Sequence, residues 1–363
     1  MNILIVKMSA LGDVVHTLPA LSALRRAYPH AQITWLIEEP AAPLIREHPA
    51  LNRVLIWPRG RFIHALSSRR WSDAIGILRS FTKELRDTYY DMVIDFQALI
   101  KSGIWVLVAR SRRKVGFGRG MAHSEGSHIF LTERVPAVSM EIHALERSLL
   151  LLEAIGIPRG PVVYDLTIDK AATAKVTKLL GPEAANFSQR LVAIHPMTRW
   201  PTKCWEPDRF AAVADALTQR GYKVVFTGSL QDSNELDAIF ARLCHPALRL
   251  DGKLDLGSLV ALLKRARVAV TTDTGPMHMA AAVGTPVIAV FGPTAPNRTG
   301  PYGNRHRVIR AGVACSPCFS STCRSSVAEK MACMKRIQAK AVTEAVLACM
   351  DGREPQDLPK VDT

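Results

Sequence analysis

Short apolar runs alternate along the chain with longer segments in which apolar residues recur at helical spacing. The first half contains four such runs, which predict strands at residues 2–6, 32–37, 53–57 and 91–95. Between the first two runs, residues 14–28 predict a helix that Pro19 would kink or interrupt with a turn. The regular alternation of strand and helix predicts a parallel sheet covered on both faces.

The second half repeats the pattern. Its predicted strands lie at 191–196, 223–228, 267–273 and 286–293, and its predicted helices at 207–221, 232–244 and 256–265. We therefore predict an α/β protein with two Rossmann-like, doubly wound domains, at residues 1–170 and 171–350, followed by a polar tail at 351–363. Ligands bind beyond the carboxyl ends of the strands in such sheets, so both domains are expected to face a central cleft.

The charge balance narrows the choice of partner. The 363 residues carry a formal net charge of +15, which indicates an anionic partner such as a phosphorylated substrate, a membrane surface or nucleic acid. The basic residues concentrate in segments 53–71 and 101–120, where tryptophan and phenylalanine interrupt them. An inert basic face is the alternative, but the interleaved aromatic residues favour an interfacial surface. No nucleic-acid partner is expected, because no recognisable binding module is present.

The hydropathy pattern bears on location. No uncharged apolar run approaches the roughly 18 residues that a membrane-spanning helix needs. The first apolar run reaches Gly12 and Asp13 almost at once, which is typical of a core strand and not of a signal peptide. We therefore expect a cytoplasmic protein.

A first polar segment, VKMSALGDVVHTLPAL at 6–21, joins a predicted strand to a predicted helix. Its small residues would let backbone approach a ligand, and helix N-terminal amides favour a phosphate or a carboxylate. Neither a dinucleotide fingerprint nor a P-loop is present. Asp13 has two interpretations, a helix cap or a general base at the end of a strand.

Two further polar segments follow strands of the second half, HPMTRWPTKCW at 195–205 and TTDTGPMHMAAAVGTPVIAVFGPT at 271–294. Lys203 and the Thr198 hydroxyl suit a diphosphate, and Asp273 and His278 occupy the matching place on a later strand. Each loop alone could be ordinary surface. Two such loops at one sheet edge predict a nucleotide site.

Together these three segments resemble the ADP-heptose:lipopolysaccharide heptosyltransferases, inverting glycosyltransferases of family 9 with the two-domain GT-B fold. The resemblance implies that Asp13 is the general base that deprotonates the acceptor hydroxyl. It also implies that donor-binding positions, for diphosphate, sugar, ribose and adenine, are Thr198, Lys203, Glu235, Leu254, Asp273, Thr274, Gly275 and His278.

Within the family, segments such as WLIEE at 35–39 and HALER at 143–147 resemble the enzymes that add the first heptose to Kdo-lipid A. The alternatives are a second heptosyltransferase, a member with another acceptor or nucleotide-sugar, and a nucleotide-sugar epimerase. The expected partners are ADP-heptose, the anionic lipid A-Kdo acceptor and the cytoplasmic face of the inner membrane, bound peripherally. The residues expected to contact the acceptor are Arg59, Arg61, Lys101 and Arg119.

No metal or other cofactor is expected, because no DxD pair stands at a strand end and the family resemblance implies none. Four of the seven cysteines, Cys315, Cys318, Cys323 and Cys333, have the spacing C-x2-C-x4-C-x9-C. Such thiolates could bind zinc or an iron–sulfur cluster. The favoured interpretation is reduced or partly paired thiols, because paired CxxC motifs are absent.

Overall fold

The computed structural model describes residues 1–121, 125–182, 189–324 and 329–353. The chain divides into two compact units, Met1–Thr167 and Ile168–Thr363, called here the first and second unit. The sequence pattern placed this boundary after residue 170. Of the predicted polar tail, residues 354–363 lie outside the described residues.

The first unit is one parallel six-stranded sheet flanked by helices. Its strands are β1 (Asn2–Val6), β2 (Gln32–Glu38), β3 (Arg53–Trp57), β4 (Met92–Asp95), β5 (Lys114–Phe117) and β6 (Glu133–Val135). Its helices are α1 (Leu11–Ala27), α2 (Arg59–Ser67), α3 (Trp71–Arg86), α4 (Ile100–Val108) and α5 (Ala144–Glu153). The strand order is β3-β2-β1-β4-β5-β6.

The second unit has the same plan. Its strands are β7 (Leu191–His195), β8 (Lys223–Phe226), β9 (Leu248–Arg249), β10 (Val268–Thr272), β11 (Val287–Val290) and β12 (Arg307–Ile309), in the order β12-β11-β10-β7-β8-β9. Its helices are α6 (Lys170–Leu180), α7 (Pro207–Thr218), α8 (Ser233–Phe240), α9 (Leu256–Arg265), α10 (Gly275–Ala282), α11 (Pro296–Thr299), α12 (Ala332–Lys335) and α13 (Ala339–Met350).

Both strand orders are doubly wound, so each unit has a point where the winding reverses. That point lies between β1 and β4 in the first unit and between β7 and β10 in the second. Loops leaving adjacent strands there diverge to opposite faces of the sheet and open a crevice for a ligand. The predicted pair of doubly wound sheets is therefore confirmed.

The central strands are uniformly apolar because helices cover both faces of each sheet. In β1, Ile3, Leu4, Ile5 and Val6 are all fully buried. Because both faces of these strands are buried, the hydrophobic pattern of the sequence does not show which face of the sheet each residue lies on.

Helix α1 runs without a break from Leu11 to Ala27, so Pro19 does not start a turn, one of the two effects predicted for it. A proline inside a helix costs about 3 kcal/mol, since it removes a hydrogen bond and crowds the preceding turn. Every residue from 14 to 24 is buried here. The packing of this buried helix against α5 offsets that cost. Among the described residues, no helix is long and apolar enough to cross a membrane.

Candidate active site

At the winding reversal of the second unit, the buried residue Asp273 accepts hydrogen bonds from three side chains. Asp273 directly follows β10 and is only 7% exposed. Its Oδ2 accepts a hydrogen bond from Lys203 Nζ at 2.6 Å and another from the Thr294 hydroxyl at 2.7 Å. The Thr198 hydroxyl donates to the Asp273 backbone carbonyl at 3.3 Å. The structure thus joins three predicted donor residues and adds Thr294.

Lys203 is held by the local fold of the loop after β7. Pro201–Lys203 form a short 3-10 helix, and the Lys203 N–H donates to the Trp200 carbonyl. The Lys203 ammonium lies 4.5 Å from the centre of the Trp200 ring. The Thr202 hydroxyl donates to the Ser320 carbonyl at 2.7 Å, which fixes the turn to a distant loop. This cation is therefore positioned before any ligand arrives.

The N-terminus of α10 lies immediately beside this group. Thr274 is the N-cap, Gly275 is the first helical residue, and Pro276 follows, where a missing N–H costs nothing. The first turn of a helix presents unpaired N–H groups and the positive end of its dipole, which favour an anion. His278 is buried one turn further on. A phosphate between Lys203 and this turn would meet positive potential from both.

His195 ends β7 and escaped the sequence analysis, although it opens the segment HPMTRW. Its Nδ1 lies 2.9 Å from the Thr227 hydroxyl at the end of β8. Burial lowers the pKa of His195 to about 4, against which the Asp232 carboxylate acts only weakly. The imidazole is therefore neutral near pH 7. In the sequence, only the position of His195 at the end of a strand indicated a functional role.

The remaining two predicted donor residues stand outside the Asp273 group. Glu235 is exposed on α8. Burial raises the pKa of the Cys204 thiol, and the nearby Glu235 carboxylate raises it further. Leu254 is half-buried shortly before α9. In the described part of the chain no hydrogen bond joins Leu254 or Glu235 to Asp273.

At the winding reversal of the first unit, Asp13 lies in the first turn of α1 and is half-buried. Its carboxylate accepts the backbone N–H of Ala10, the N-cap residue, at 3.1 Å. Asp13 therefore contributes to helix capping from inside the first turn and is not itself the N-cap. A single backbone bond to one carboxylate oxygen is compatible with a role as a base.

A buried lysine, Lys7, lies between the carboxylates of Asp13 and Asp95. Burial lowers the pKa of Lys7, while the carboxylates of Asp13 and Asp95 oppose that change. Lys7 Nζ also donates to the Phe96 carbonyl at 3.2 Å. Burial raises the pKa of Asp95 to about 6, despite hydrogen bonds from the Ala98 and Gln97 N–H groups and the Ser102 hydroxyl.

The loops after β1 and β4 are bound together by Gln97. Its Oε1 accepts the N–H of Met8 at 2.9 Å and the N–H of Ser9 at 3.0 Å. These amides sit between the last strand residue and the first turn of α1. Gln97 thus fixes the segment that carries Asp13, a role that sequence analysis missed.

Two predicted acceptor cations converge on Glu38, at the end of β2. Lys101 Nζ lies 2.9 Å from Glu38 Oε1 and 2.5 Å from the Ser9 hydroxyl, and Arg59 Nε lies 3.9 Å from the same carboxylate oxygen. Sequence analysis gave Glu38 no role, although the acidic pair closing WLIEE was visible. Arg61 and Arg119 are exposed, and no hydrogen bond or ion pair joins either to Glu38 in the described residues.

The four clustered cysteines form no disulfide in the structure. Burial raises the pKa of Cys333, and the neighbouring thiols of Cys315, Cys318 and Cys323 raise it further. Within the described ranges, no group of three or more His, Cys, Asp or Glu side chains is arranged to hold a metal ion.

The amino-acid sequence is similar to those of known glycosyltransferases. A family model described as glycosyltransferase family 9 (heptosyltransferase) matches residues 78–328. Lipopolysaccharide heptosyltransferase 1 of Pseudomonas aeruginosa is 32% identical over 331 residues, covering 89% of this chain and 87% of the relative. Lipopolysaccharide heptosyltransferase 1 of Escherichia coli K12 is 28% identical, covering 86% of this chain and 94% of that protein.

Solved structures show the same fold. A family 9 glycosyltransferase from Veillonella parvula superposes with a TM-score of 0.82 at 22% identity, over 97% of each chain. The E. coli heptosyltransferase WaaC with ADP gives a TM-score of 0.75 at 25% identity, over 96% of this chain and 100% of that one. The same enzyme has also been solved with ADP-2-deoxy-2-fluoro heptose. These likenesses confirm the predicted α/β, GT-B fold class.

Proposed function

Because the chain belongs to glycosyltransferase family 9, the heptosyltransferases, we propose that it transfers a heptose, with inversion, from ADP-heptose to the Kdo-lipid A inner core. This is the reaction of a heptosyltransferase I. The observation that carries the proposal is the Lys203–Asp273 pair beside the N-terminus of α10. The relatives named heptosyltransferase 1 and the solved enzyme with a heptose nucleotide support it.

The donor would bind in the second unit. Without a ligand, Asp273 neutralises Lys203. A diphosphate would attract the lysine instead, which leaves the Asp273 carboxylate free to accept hydrogen bonds from heptose hydroxyls. Thr198 and the Thr274–Gly275 amides would also bind phosphate oxygens. Glu235 and Leu254 would contact the nucleoside. Negative charge grows on ADP as the anomeric bond breaks, and prepositioned cations and amides stabilise that charge.

The acceptor would be activated in the first unit. Asp13 would take the proton from an acceptor hydroxyl as that oxygen attacks C1 of the heptose. The carboxylate accepts one backbone hydrogen bond, from the Ala10 N–H, which is compatible with this role. We propose that no metal ion or other cofactor takes part, since Lys203 and the α10 amides can provide the positive potential.

The acceptor's Kdo carboxylates and lipid A phosphates would meet Arg59, Arg61, Lys101 and Arg119. Glu38 would then orient Lys101 and Arg59 while it offsets part of their charge. We further propose that the protein works in the cytoplasm, attached peripherally to the inner membrane that carries its acceptor.

The proposal is tested by transfer from ADP-heptose to Kdo2-lipid A in EDTA, comparing wild type with Asp13→Asn. We expect transfer to fall by about 10²- to 10⁴-fold, the range for loss of a general base, while ADP binding is kept. Asp208→Asn, an exposed acid on α7, is the matched control and should transfer normally.

Other outcomes would revise specific parts of the proposal. Transfer only to an already heptosylated acceptor would identify a later heptosyltransferase, the main alternative. Loss of wild-type activity in EDTA, restored by Mg²⁺, would contradict the metal-free mechanism. Full activity of Asp13→Asn would remove Asp13 as the base.

A further inference from the structure

Exposed apolar side chains are concentrated in the first unit. Twelve large hydrophobic residues are exposed in the described chain, and ten of them belong to this unit. They are Met1, Ile63, Trp71, Ile75, Leu78, Tyr89, Ile100, Ile104, Leu107 and Ile129. Scattered apolar residues are normal at a protein surface, but a contiguous set is not.

Three of these residues form a stripe along α3. Trp71, Ile75 and Leu78 follow one another at i, i+4 and i+7, the spacing of neighbours on one helix face. Trp71 is 60% exposed although it is the largest side chain of the helix. The buried face of α3, with Phe81 and Leu85, already packs against the core of the sheet. The stripe is therefore additional to what the fold requires.

Helix α4 repeats the same arrangement. Ile100, Ile104 and Leu107 are exposed at the same i, i+4, i+7 spacing. The rings of Trp105 on α4 and Phe81 on α3 meet with centroids 4.7 Å apart, so both helices cover the same face of the sheet. The two helices also contact each other directly. We call the six residues of these two stripes the α3–α4 face.

Cations border this face. Residues 59–86 contain seven Arg or Lys residues against two acidic residues. Helical periodicity places Arg79 and Lys83 alongside the α3 stripe, and it places Glu84 on the other side of the helix. Arg86, at the end of α3, donates to the Val108 carbonyl at the end of α4. The face thus combines an apolar centre with a basic edge.

We propose that the α3–α4 face docks the protein on an anionic lipid bilayer. Tryptophan and aliphatic side chains enter the boundary between head groups and acyl chains, while Arg and Lys bind lipid phosphates. A second copy of the chain is a poorer fit, because self-pairing would bring the two basic edges together. The role rests on the proposed function, which supplies the reason to approach a lipid.

The position of α4 connects this face to the proposed acceptor site. Lys101, one residue after Ile100, bonds to Ser9 in the loop that precedes Asp13. The face therefore begins on the helix whose first turn bonds to the loop that precedes the proposed base.

Vesicle sedimentation tests the proposal directly. The variant Trp71→Gln/Ile75→Gln/Leu78→Gln should bind phosphatidylglycerol-containing vesicles at least tenfold more weakly than wild type. Arg79→Gln/Lys83→Gln should reduce binding and flatten its dependence on salt. Leu230→Gln, which removes an apolar residue 76% exposed in the second unit, is the matched control and should bind like wild type.

Two acceptors separate failure of docking from failure of the proposed function. The triple variant should keep transfer, within twofold, to a water-soluble, fully deacylated Kdo acceptor, and should lose at least tenfold with the acceptor in vesicles. Equal vesicle binding by wild type and triple variant overturns the proposal. It is also overturned if wild type is a dimer, the triple variant is a monomer, and the variant still binds vesicles. If wild type transfers to neither acceptor, the proposed function fails, whereas weaker vesicle binding by the variant still supports docking.

Discussion

At the scale of single residues, the proposed donor site depends on a buried ion pair. The Lys203 and Asp273 side chains are 16% and 8% exposed, so each would pay a large desolvation penalty alone. Pairing them, with a further hydrogen bond from Thr294, offsets that penalty. The ion pair also lets Lys203 exchange the Asp273 carboxylate for the diphosphate of the proposed donor.

Substitutions of Thr294 test whether its hydroxyl orders the Asp273 carboxylate. Thr294→Val keeps the shape but removes the hydroxyl that donates to Asp273, whereas Thr294→Ser keeps the hydroxyl. A hydrogen bond to a charged group contributes about 1.5–3 kcal/mol, so Val should lower kcat/KM for ADP-heptose by about tenfold or more. Steady-state kinetics should show Ser close to wild type. Indistinguishable Val and Ser variants would mean that the hydroxyl does not order Asp273.

His195 makes stability depend on pH. Its pKa is about 4 in the folded protein and ordinarily 6.5, so the unfolded chain binds more protons between these values. Stability should therefore fall as the pH drops from 7 to 5, by on the order of 1–2 kcal/mol from this group. Urea denaturation at both pH values should show a smaller loss for His195→Gln than for wild type. An identical loss would mean that His195 titrates normally.

At the scale of elements, the proposed sites form where loops leave adjacent central strands. Strands β1 and β4 are neighbours in space although 85 or more residues separate them, and Gln97 joins their loops. The sheet edge brings the two loops within hydrogen-bonding reach.

Gln97 should therefore affect catalysis without affecting the donor. Gln97→Leu removes the acceptor for the Met8 and Ser9 amides, so the Asp13 turn loses its position. We expect kcat to fall about ten- to a hundredfold, with an unchanged Kd for ADP. Gln97→Glu retains an acceptor oxygen and should be much milder. Calorimetry should measure ADP binding, and transfer assays should measure kcat. General unfolding of a variant would weaken both ADP binding and transfer.

At the scale of the whole molecule, the chemistry divides between two units with separate cores. The proposed base and acceptor cations belong to the first unit, and every proposed donor residue belongs to the second. Substitutions in one unit should therefore leave the binding function of the other intact.

Hydrogen exchange with saturating ADP would show this division. We expect slower exchange in segments 195–205 and 271–278, because ligand contacts stabilise the loops after β7 and β10. The loop around Asp13 should be unchanged, and Lys203→Ala should abolish the ADP-dependent protection. Equal protection in both units would contradict this division and show that ADP alone orders the first unit as well.

The sequence by itself determined the two doubly wound units, most central strands and the polar segments at their ends. These features follow from local periodicity and from the few residue types that can follow a buried strand. Short edge strands such as β9, with two residues, carry too little pattern to be recognised. The continuation of α1 through Pro19 required burial that only packing provides.

Tertiary structure decided which polar groups meet. Lys203 and Asp273 are 70 residues apart, and Gln97 is 89 residues from Met8. Glu38, at the end of β2, and Lys101, in the first turn of α4, likewise meet across 63 residues of sequence. Periodicity describes how a residue relates to its near neighbours along one element, whereas these contacts depend on which strands lie side by side. The exposed face shared by α3 and α4 arises in the same way, from two amphipathic helices packed on one sheet.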